Sequence, residues 1–235
     1  KSVRTRAVIG ADGARSTVAT QSLENPEQVP CVFAYHEIIR SPENNTDKFE
    51  KDRCDVYYQG KLSPDFYGWV FPHGKTTSVG TGSAIKGFSL RGAIHDLRKD
   101  AGLDGLETIR REGAPIPLKP RRKWDDGLNV LLADAAGVVA PASGEGIYYA
   151  MLCGQLAAEA TAEFVRTGDA KALATARKKF MKDHGKIFWV LGIMQKFWYS
   201  SDKRRERFVS ICDDPDVQHL TWESYMNKKL VSPSR

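Results

Sequence analysis

Apolar and polar positions change period several times along this chain, and each change marks an element. Val3 to Ile9 reads as a strand running into Gly10-Ala11-Asp12-Gly13, and Ala14 to Ser22 as a short helix. Val32 to Arg40 is a strand of mixed pattern. Ser41 to Asp52 is polar and acidic, with Pro42 and Asn44-Asn45, and reads as a loop. Cys54 to Gln59 is a further strand. Phe66 to Phe71 and Thr76 to Thr81 flank Pro72-His73-Gly74-Lys75 and predict a hairpin. Ser89 to Ala101 has helical periodicity with Ser89 as its cap. Thr108 to Leu118 is a strand entering a Pro-rich stretch, and Leu128 to Ala133 a strand ending at Asp134. Gly146 to Arg166 is a long helix. Its small residues Gly146, Ala150, Gly154 and Ala158 recur at i, i+4 and predict a flat ridge for close packing. From Ala170 onward the chain is mostly helical.

This order predicts an α/β fold with an α+β insert. Residues 1–27 and 121–166 are two segments of one α/β layer. Residues 28–120 form an antiparallel insert, and residues 167–235 a helical C-terminal region. No internal repeat is visible.

The 235 residues are 41% hydrophobic and 27% charged, which fits a globular chain with a real core. Cys31, Cys54, Cys153 and Cys212 form no C-x-x-C pair and no metal-spaced set, so no metal site is expected and a reducing, cytoplasmic compartment is. The net charge of +6 is regional. Residues 166–207 carry 12 Lys/Arg against 4 Asp/Glu. Within them, Lys186 to Tyr199 sets Trp and Tyr beside lysines. That pattern suits a peripheral membrane contact through 186–207, and equally a buried helix with solvated lysines. The apolar run Ile187 to Met194 is too short to span a bilayer. No nucleic-acid-binding motif accompanies the charge.

The chemistry concentrates in two stretches. Leu131 to Ile147 reads as a strand end, a carboxylate at Asp134, a Pro/Gly-rich turn and a helix start. An Asp there can hydrogen-bond a sugar or ribitol hydroxyl. Glycines at a helix N-terminus let bare N–H groups approach negative charge. The candidate cofactor contacts are Asp134, Ala135, Gly137, Pro141, Gly144, Glu145, Gly146 and Ile147. The second stretch, Ala7 to Ser16, runs from a strand into Gly10, Asp12, Gly13, Arg15 and Ser16. Here Asp12 either caps the next helix or holds a cofactor group. In this order, some 120 residues apart, the two stretches resemble the aromatic-hydroxylase-like class of FAD-dependent oxidoreductases. The resemblance implies a Rossmann-type FAD-binding domain. Its first motif would lie near the FAD pyrophosphate and the NAD(P)H path, and its second at the ribitol and flavin ring. A G-x-G-x-x-G fingerprint is absent and the chain opens on Lys1 without Met. The expectation is therefore the C-terminal portion of a longer protein, which alone binds FAD poorly.

Tyr67, Trp69 and Phe71 alternate and share one strand face, and Gly80 and Gly82 share a face of the partner. A turn centred on Gly74-Lys75 predicts His73 opposite Thr76, Trp69 opposite Gly80 and Tyr67 opposite Gly82. The rings then lie over bare backbone, either as a packed aromatic face or as one wall of a long apolar pocket. The pattern Tyr67-x-Trp69-x-Phe71-Pro72, then Gly80-x-Gly82, resembles the substrate motif of the geranylgeranyl reductase family. Ser63 to Trp69, Phe33 to Ile38, Cys54 to Gly60, Asp202 to Cys212 and Leu220 to Met226 are similar to its chlorophyll and purple-bacterial bacteriochlorophyll branches. The resemblance implies FAD- and NADPH-dependent reduction of a geranylgeranyl chain to phytyl, on (bacterio)chlorophyll or as the diphosphate. Substrate contacts would be Tyr67, Trp69, Phe71, Pro72, Gly80 and Gly82. The expected location is cytoplasmic, on the photosynthetic membrane if the 186–207 stretch makes its peripheral contact. The family pattern has Gly-Asp where this chain has Ala133-Asp134, which puts the closeness of cofactor approach in doubt. Reducing an isolated alkene needs a proton donor. Tyr57, Tyr58, Tyr67 and His73 are candidates by type, and no catalytic residue is assigned. Two rival readings are an FAD-dependent aromatic hydroxylase and a non-enzymatic prenyl-binding escort of GDP-dissociation-inhibitor type.

Overall fold

The computed structural model describes residues 2–24 and 28–228. Strands and helices run β1 (Val8–Gly10), α1 (Thr17–Ser22), β2 (Cys31–Arg40), β3 (Asp55–Tyr57), β4 (Gly68–His73), β5 (Thr76–Ser83), α2 (Leu90–Asp100) and β6 (Thr108–Pro117). Then come β7 (Val130–Leu132), α3 (Ile147–Thr167), α4 (Ala174–Trp198), α5 (Asp202–Ile211) and α6 (Pro215–Met226). The chain divides into two units, residues 1–31 with 115–192, and residues 32–114 with 193–235. The helical stretch after 167 is therefore shared between the two units.

In the first unit β1 and β7 pair in parallel, with Val8 opposite Val130, Ile9 opposite Leu131 and Gly10 opposite Leu132. β1 is shorter than the strand expected from Val3, because β7 offers only three residues to pair with; Val3 is 86% exposed. Leu131 and Leu132 are fully buried and join Trp124, Tyr149, Phe180 and Phe188 in one core. Rings pack edge-on within it, Tyr149 to Phe188 at 4.8 Å and Phe180 to Phe188 at 5.3 Å between centroids.

α3 does not bury the small-residue ridge expected of it. Tyr149, Cys153, Ala157 and Ala160 face the core, while Gly154 and Ala158 are exposed and nothing lies within 4 Å of a Cβ built at Gly154. Both sets have helical spacing, but the buried one carries far more apolar volume, and burial follows area. Burial pushes the Cys153 thiol up to about 12, with the Asp134 carboxylate adding to the rise, so this cysteine is an inert core residue.

The second unit is built on a five-stranded sheet of order β3-β4-β5-β2-β6. The pairs β3–β4, β4–β5 and β2–β5 are antiparallel. Ile39, Val70 and Val79 pack from one sheet face against Ile94 and Leu97 of α2, whose N-cap Ser89 accepts the Gly92 N–H at 3.1 Å as expected. Pro72 is tolerated inside β4 because β3 ends opposite Val70, leaving that edge without a ladder bond to lose. At the far end, the Asp202 carboxylate accepts the Gly60 N–H at 2.8 Å. Buried Arg205 donates to Asp202 and to the carbonyls of Pro64 and Tyr199. These bonds tie the start of α5 to the loop that leads into β4.

Beneath α2, Glu37 accepts from Arg98 Nη1 at 2.6 Å and from Arg111 Nε at 3.1 Å. Burial alone would raise the Glu37 carboxyl, but the two guanidiniums more than offset it and hold it below its ordinary 4.5. A depressed carboxyl adds stability that is complete above the unfolded value and is lost as pH falls through the folded one. Glu37→Gln is expected to lower stability by about 2 kcal/mol at neutral pH, with variant and parent converging as pH drops below 4.5. Urea midpoints at pH 7 and pH 3.5 check this, and an unchanged gap at both values would refute the ion-pair account.

Candidate functional site

The first motif is mostly a helix start. Gly10 ends β1, and a Cβ there would stand 2.9 Å from Leu132 Cδ2 and 3.1 Å from Val18 Cγ1, so the strand end needs glycine to close on its neighbours. Asp12 Oδ1 accepts from Ser16 Oγ at 2.6 Å, and Oδ2 from the N–H groups of Thr17 at 2.7 Å and Val18 at 3.1 Å. Ser16 in turn accepts the Ala19 N–H at 2.8 Å as the N-cap of α1. Slight burial would raise the Asp12 carboxyl, but the Ser16 and backbone donors outweigh it and lower it from 3.8. Both Asp12 oxygens are thus engaged by the chain itself. Gly13 turns the backbone with φ +78°, and Arg15 is exposed, with its charge felt at the Cys31 thiol.

The second motif meets the first at the end of the two parallel strands. The Ala133 N–H donates to Gly10 O at 2.8 Å, continuing the β1–β7 pairing. Asp134 then opens a single 3₁₀ turn, Asp134–Ala136, which Gly137 closes at φ +75°. Asp134 Oδ2 lies 3.9 Å from the place a Gly13 Cβ would occupy. Its half-buried carboxylate accepts no hydrogen bond among the described residues, in contrast to Asp12. Ala135 is fully buried beneath the turn. Ala133 is buried, so its methyl lies in the core where the family pattern has glycine.

Arg121 holds this turn from below and escaped the sequence reading. Its Nε donates to Ala135 O at 3.0 Å and its N–H to Ala136 O at 2.8 Å, while Trp124 Nε1 donates to Arg121 O at 2.9 Å. The one sequence signal was the run Pro120-Arg121-Arg122-Lys123, which charge patterning alone reads as solvated surface.

The loop that follows closes on itself. The Ala140 N–H donates to Glu145 O at 2.8 Å and the Gly144 N–H to Ala140 O at 3.0 Å. Inside it Pro141 is buried, Ala142 takes φ +68° and Gly144 φ +73°. α3 begins at Ile147 with Gly146 as its N-cap, and no side chain caps it. A Cβ at Gly146 would stand 3.2 Å from Val139 Cγ2. Glu145 precedes the cap, and Ile147 is 80% exposed. No His/Cys/Asp/Glu cluster able to hold a metal occurs among the described residues.

The aromatic strand lies on the sheet face away from α2. Trp69 pairs with Gly80 and His73 with Thr76, the register expected from the hairpin turn. Trp69 lies so close over Gly80 that a Cβ there would overlap ring atoms Cζ2 and Cε2. The third expected pair fails. β4 begins at Gly68, and Gly82 is covered by Val32 and Phe66, a Cβ there standing 2.6 Å from Val32 Cγ1 and 3.2 Å from Phe66 Cδ1. Tyr67 instead stacks on Phe66 at 4.3 Å, and its carbonyl accepts the Thr81 hydroxyl at 3.2 Å. Before the strand begins, the chain no longer follows the ladder that would carry the alternation to Gly82.

The row Tyr67, Trp69, Phe71 has centroid spacings of 5.9 and 6.2 Å. Tyr58 extends it at 6.0 Å from Tyr67, and meets Tyr199 at 5.6 Å and Phe208 at 5.1 Å. The four candidate proton donors separate. Tyr58 and Tyr67 belong to this wall. Tyr57 faces the α2 side, where burial, with Asp55, raises its phenol above 10.0, and His73 is exposed at the hairpin tip.

No family model matches the chain. Over 228 residues, 97% of its length, it is 56% identical to the geranylgeranyl diphosphate reductase of Rhodobacter capsulatus. The chain belongs to the geranylgeranyl reductase family. A geranylgeranyl diphosphate reductase of Synechocystis is 35% identical over 98% of the chain, and a chloroplastic one from rice 36% identical over 96%. The chain spans 58% of the length of both bacterial reductases and 49% of the rice one. A geranylgeranyl bacteriochlorophyll reductase-like protein of Thermoplasma acidophilum shares the fold at TM-score 0.79 and 23% identity, covering 90% of this chain and 55% of its own. A flavin-dependent brominase shares it at TM-score 0.63 and 16% identity, covering 92% and 56%. The α/β architecture with an antiparallel sheet is common to these geranylgeranyl reductase and flavoenzyme folds.

Gly80→Ala is expected to destabilise the protein by about 2 kcal/mol, since its methyl must displace the Trp69 ring or the strand. Gly74→Ala, at the hairpin turn with nothing within 4 Å of its Cβ, strains only the turn at φ +67° and should cost about 1 kcal/mol. Denaturant midpoints of the two variants check this order, and the reverse order would contradict the packing described.

Proposed function

We propose that this chain forms part of an FAD-dependent, NADPH-driven reductase that saturates the double bonds of a geranylgeranyl chain. The observation that carries the proposal is the Asp134 carboxylate. It stands half-buried with no donor among the described residues, beside the Gly13 turn and on the loop that enters the uncapped start of α3. A carboxylate so held is fitted to a polyol such as ribitol, whose hydroxyls donate to it. The N-terminus of α3 is fitted to the electron-rich pyrimidine edge of an isoalloxazine. FAD, when bound, would supply as hydride the electrons taken from NADPH.

The chain's own contribution is shape and orientation. Arg121 fixes the carbonyls of Ala135 and Ala136, and so holds the Asp134 turn in one conformation. The half-exposed row of Tyr67, Trp69 and Phe71 offers a hydrocarbon chain apolar contact along its length. Tyr58 and Tyr67 are the hydroxyl groups of that wall and hold exchangeable protons beside it. The bacterial and plant relatives are named for the diphosphate and the Thermoplasma protein for bacteriochlorophyll, so the prenyl chain is the part common to both substrates. A cytoplasmic enzyme lying against a membrane suits such a lipid. Trp189 is 68% exposed on α4, and Arg204 sits over the Phe197 ring at 4.4 Å within the basic stretch. Among the described residues no helix is long and apolar enough to cross a membrane.

The test uses the full-length protein, anaerobically, with NADPH and either geranylgeranyl diphosphate or a geranylgeranylated pigment. Product masses should rise in steps of two hydrogens. Gain of oxygen in air would favour an aromatic hydroxylase, and prenyl binding without flavin an escort protein; either would sink the proposal. Asp134→Asn should lower FAD affinity by about tenfold to a hundredfold, the worth of a charge-assisted hydrogen bond, with the fold intact by circular dichroism. Retention of stoichiometric flavin would remove Asp134 from the site. Sedimentation with phosphatidylglycerol vesicles tests the membrane contact. Binding should fall several-fold in Trp189→Ala, and equal binding of parent and variant would exclude that surface.

A further inference from the structure

We infer that Ser78, His36 and Glu112 are positioning residues that fix the plane of Trp69 and turn its only polar atom away from the prenyl chain. The inference rests on the prenyl reading of the aromatic wall. Four strands supply the parts, Glu112 standing on β6. Trp69 on β4 and His36 on β2 both pair with Gly80 on β5, so they flank the glycine on one sheet face. Ser78 lies on the same face, two residues along β5, and pairs with Phe71. A Cβ at Gly80 would stand 2.7 Å from the His36 Cβ, so the glycine leaves a slot into which the indole lies.

Hydrogen-bond directions in this cluster follow from donor counts. An indole N–H can only donate, and Trp69 Nε1 donates to Ser78 Oγ at 3.0 Å. Ser78 has one hydrogen, and the other partner of its oxygen is His36 Nδ1 at 2.9 Å. Ser78 is 7% exposed, where an unplaced hydroxyl hydrogen is costly, so it donates to Nδ1. That nitrogen is then the bare one of the imidazole. The proton sits on Nε2, which faces Glu112 Oε2 at 3.2 Å. Glu112 also takes Arg110 Nε at 3.1 Å through its other oxygen. Every hydrogen has an acceptor, and the chain runs one way, from indole through hydroxyl and imidazole to carboxylate. Ser78 is not a nucleophile despite its Ser-His-Glu company, because its oxygen is buried and accepts the indole N–H bond.

The consequence lies on the opposite edge of the ring. An unanchored indole in a shallow sheet slot can present either its N–H or its benzo edge outward. Anchoring the N–H to Ser78 leaves carbon facing outward, which a polyisoprenoid can contact without stripping water from a polar group. The chain therefore acts on substrate recognition rather than on proton or hydride delivery.

The test compares Ser78→Ala, Ser78→Thr, His36→Leu and His36→Asn in the full-length protein. Asn can offer its carbonyl oxygen to Ser78 in the place of Nδ1, and Thr keeps the hydroxyl. In the parent, 15N-labelled histidine should show His36 protonated at Nε2, and the Trp69 indole N–H should resist exchange with solvent. Ser78→Ala and His36→Leu should lose that protection and raise KM for the geranylgeranyl substrate about fivefold, with kcat and flavin content within twofold of the parent. Ser78→Thr and His36→Asn should restore both. Protection and KM unchanged in Ser78→Ala, or a His36 protonated at Nδ1, would overturn the inference. A parent that reduces no geranylgeranyl substrate sinks the function proposed above, and the indole and imidazole resonances then decide the hydrogen-bond chain by themselves.

Discussion

The pairing of three residues of β1 with three of β7 is the constraint on which the candidate site depends. Gly10 must lie flat against Leu132 for the strands to close, and the Ala133 N–H reaches Gly10 O only when they do. That contact brings together two loops some 120 residues apart and sets the Asp134 carboxylate beside the Gly13 turn. A two-strand parallel pair is weak alone. It is held here by a buried core of Leu131, Leu132, Trp124 and the inner face of α3, and by Arg121 beneath the turn.

The two aspartates at this junction have opposite fates, and hydrogen-bond supply decides between them. Asp12 is followed by a helix whose first N–H groups have no other partner, so its carboxylate becomes a cap. Asp134 is followed by a 3₁₀ turn in which the Ala136 and Gly137 N–H groups bond to the Ala133 and Asp134 carbonyls and Arg121 takes the Ala135 and Ala136 carbonyls, so its carboxylate accepts no bond among the described residues. In the other unit the aromatic face shows the same economy. Trp69 has its polar atom turned inward and its carbon surface outward, while the charged Glu37, Arg98 and Arg111 occupy the α2 side of the sheet.

Much of this was legible in the chain. Alternation of Tyr67, Trp69 and Phe71 with two glycines across a tight turn predicts the Trp69–Gly80 pair, because strand period and turn geometry together set register. The reading failed where register stops being the rule. Tyr67 precedes the first paired residue, so alternation no longer says what covers Gly82. On α3 two residue sets share helical spacing, and only the volume of Tyr149 and Cys153 against Gly154 and Ala158 decides which turns inward. Arg121 was unreadable because its partners are backbone carbonyls, which leave no trace in side-chain pattern.

The bond from the Asp202 carboxylate to the Gly60 N–H, and the contacts of Tyr199 and Phe208 with Tyr58, join residues about 140 positions apart. Loop closure over that distance is slow, and during synthesis the later partner does not yet exist. The hairpin end of the aromatic wall can form from neighbours alone, but its Tyr58 end must wait for Tyr199 and Phe208 to leave the ribosome. Until then a half-built wall of rings stands open to water. Apolar surface exposed in this way during synthesis favours aggregation.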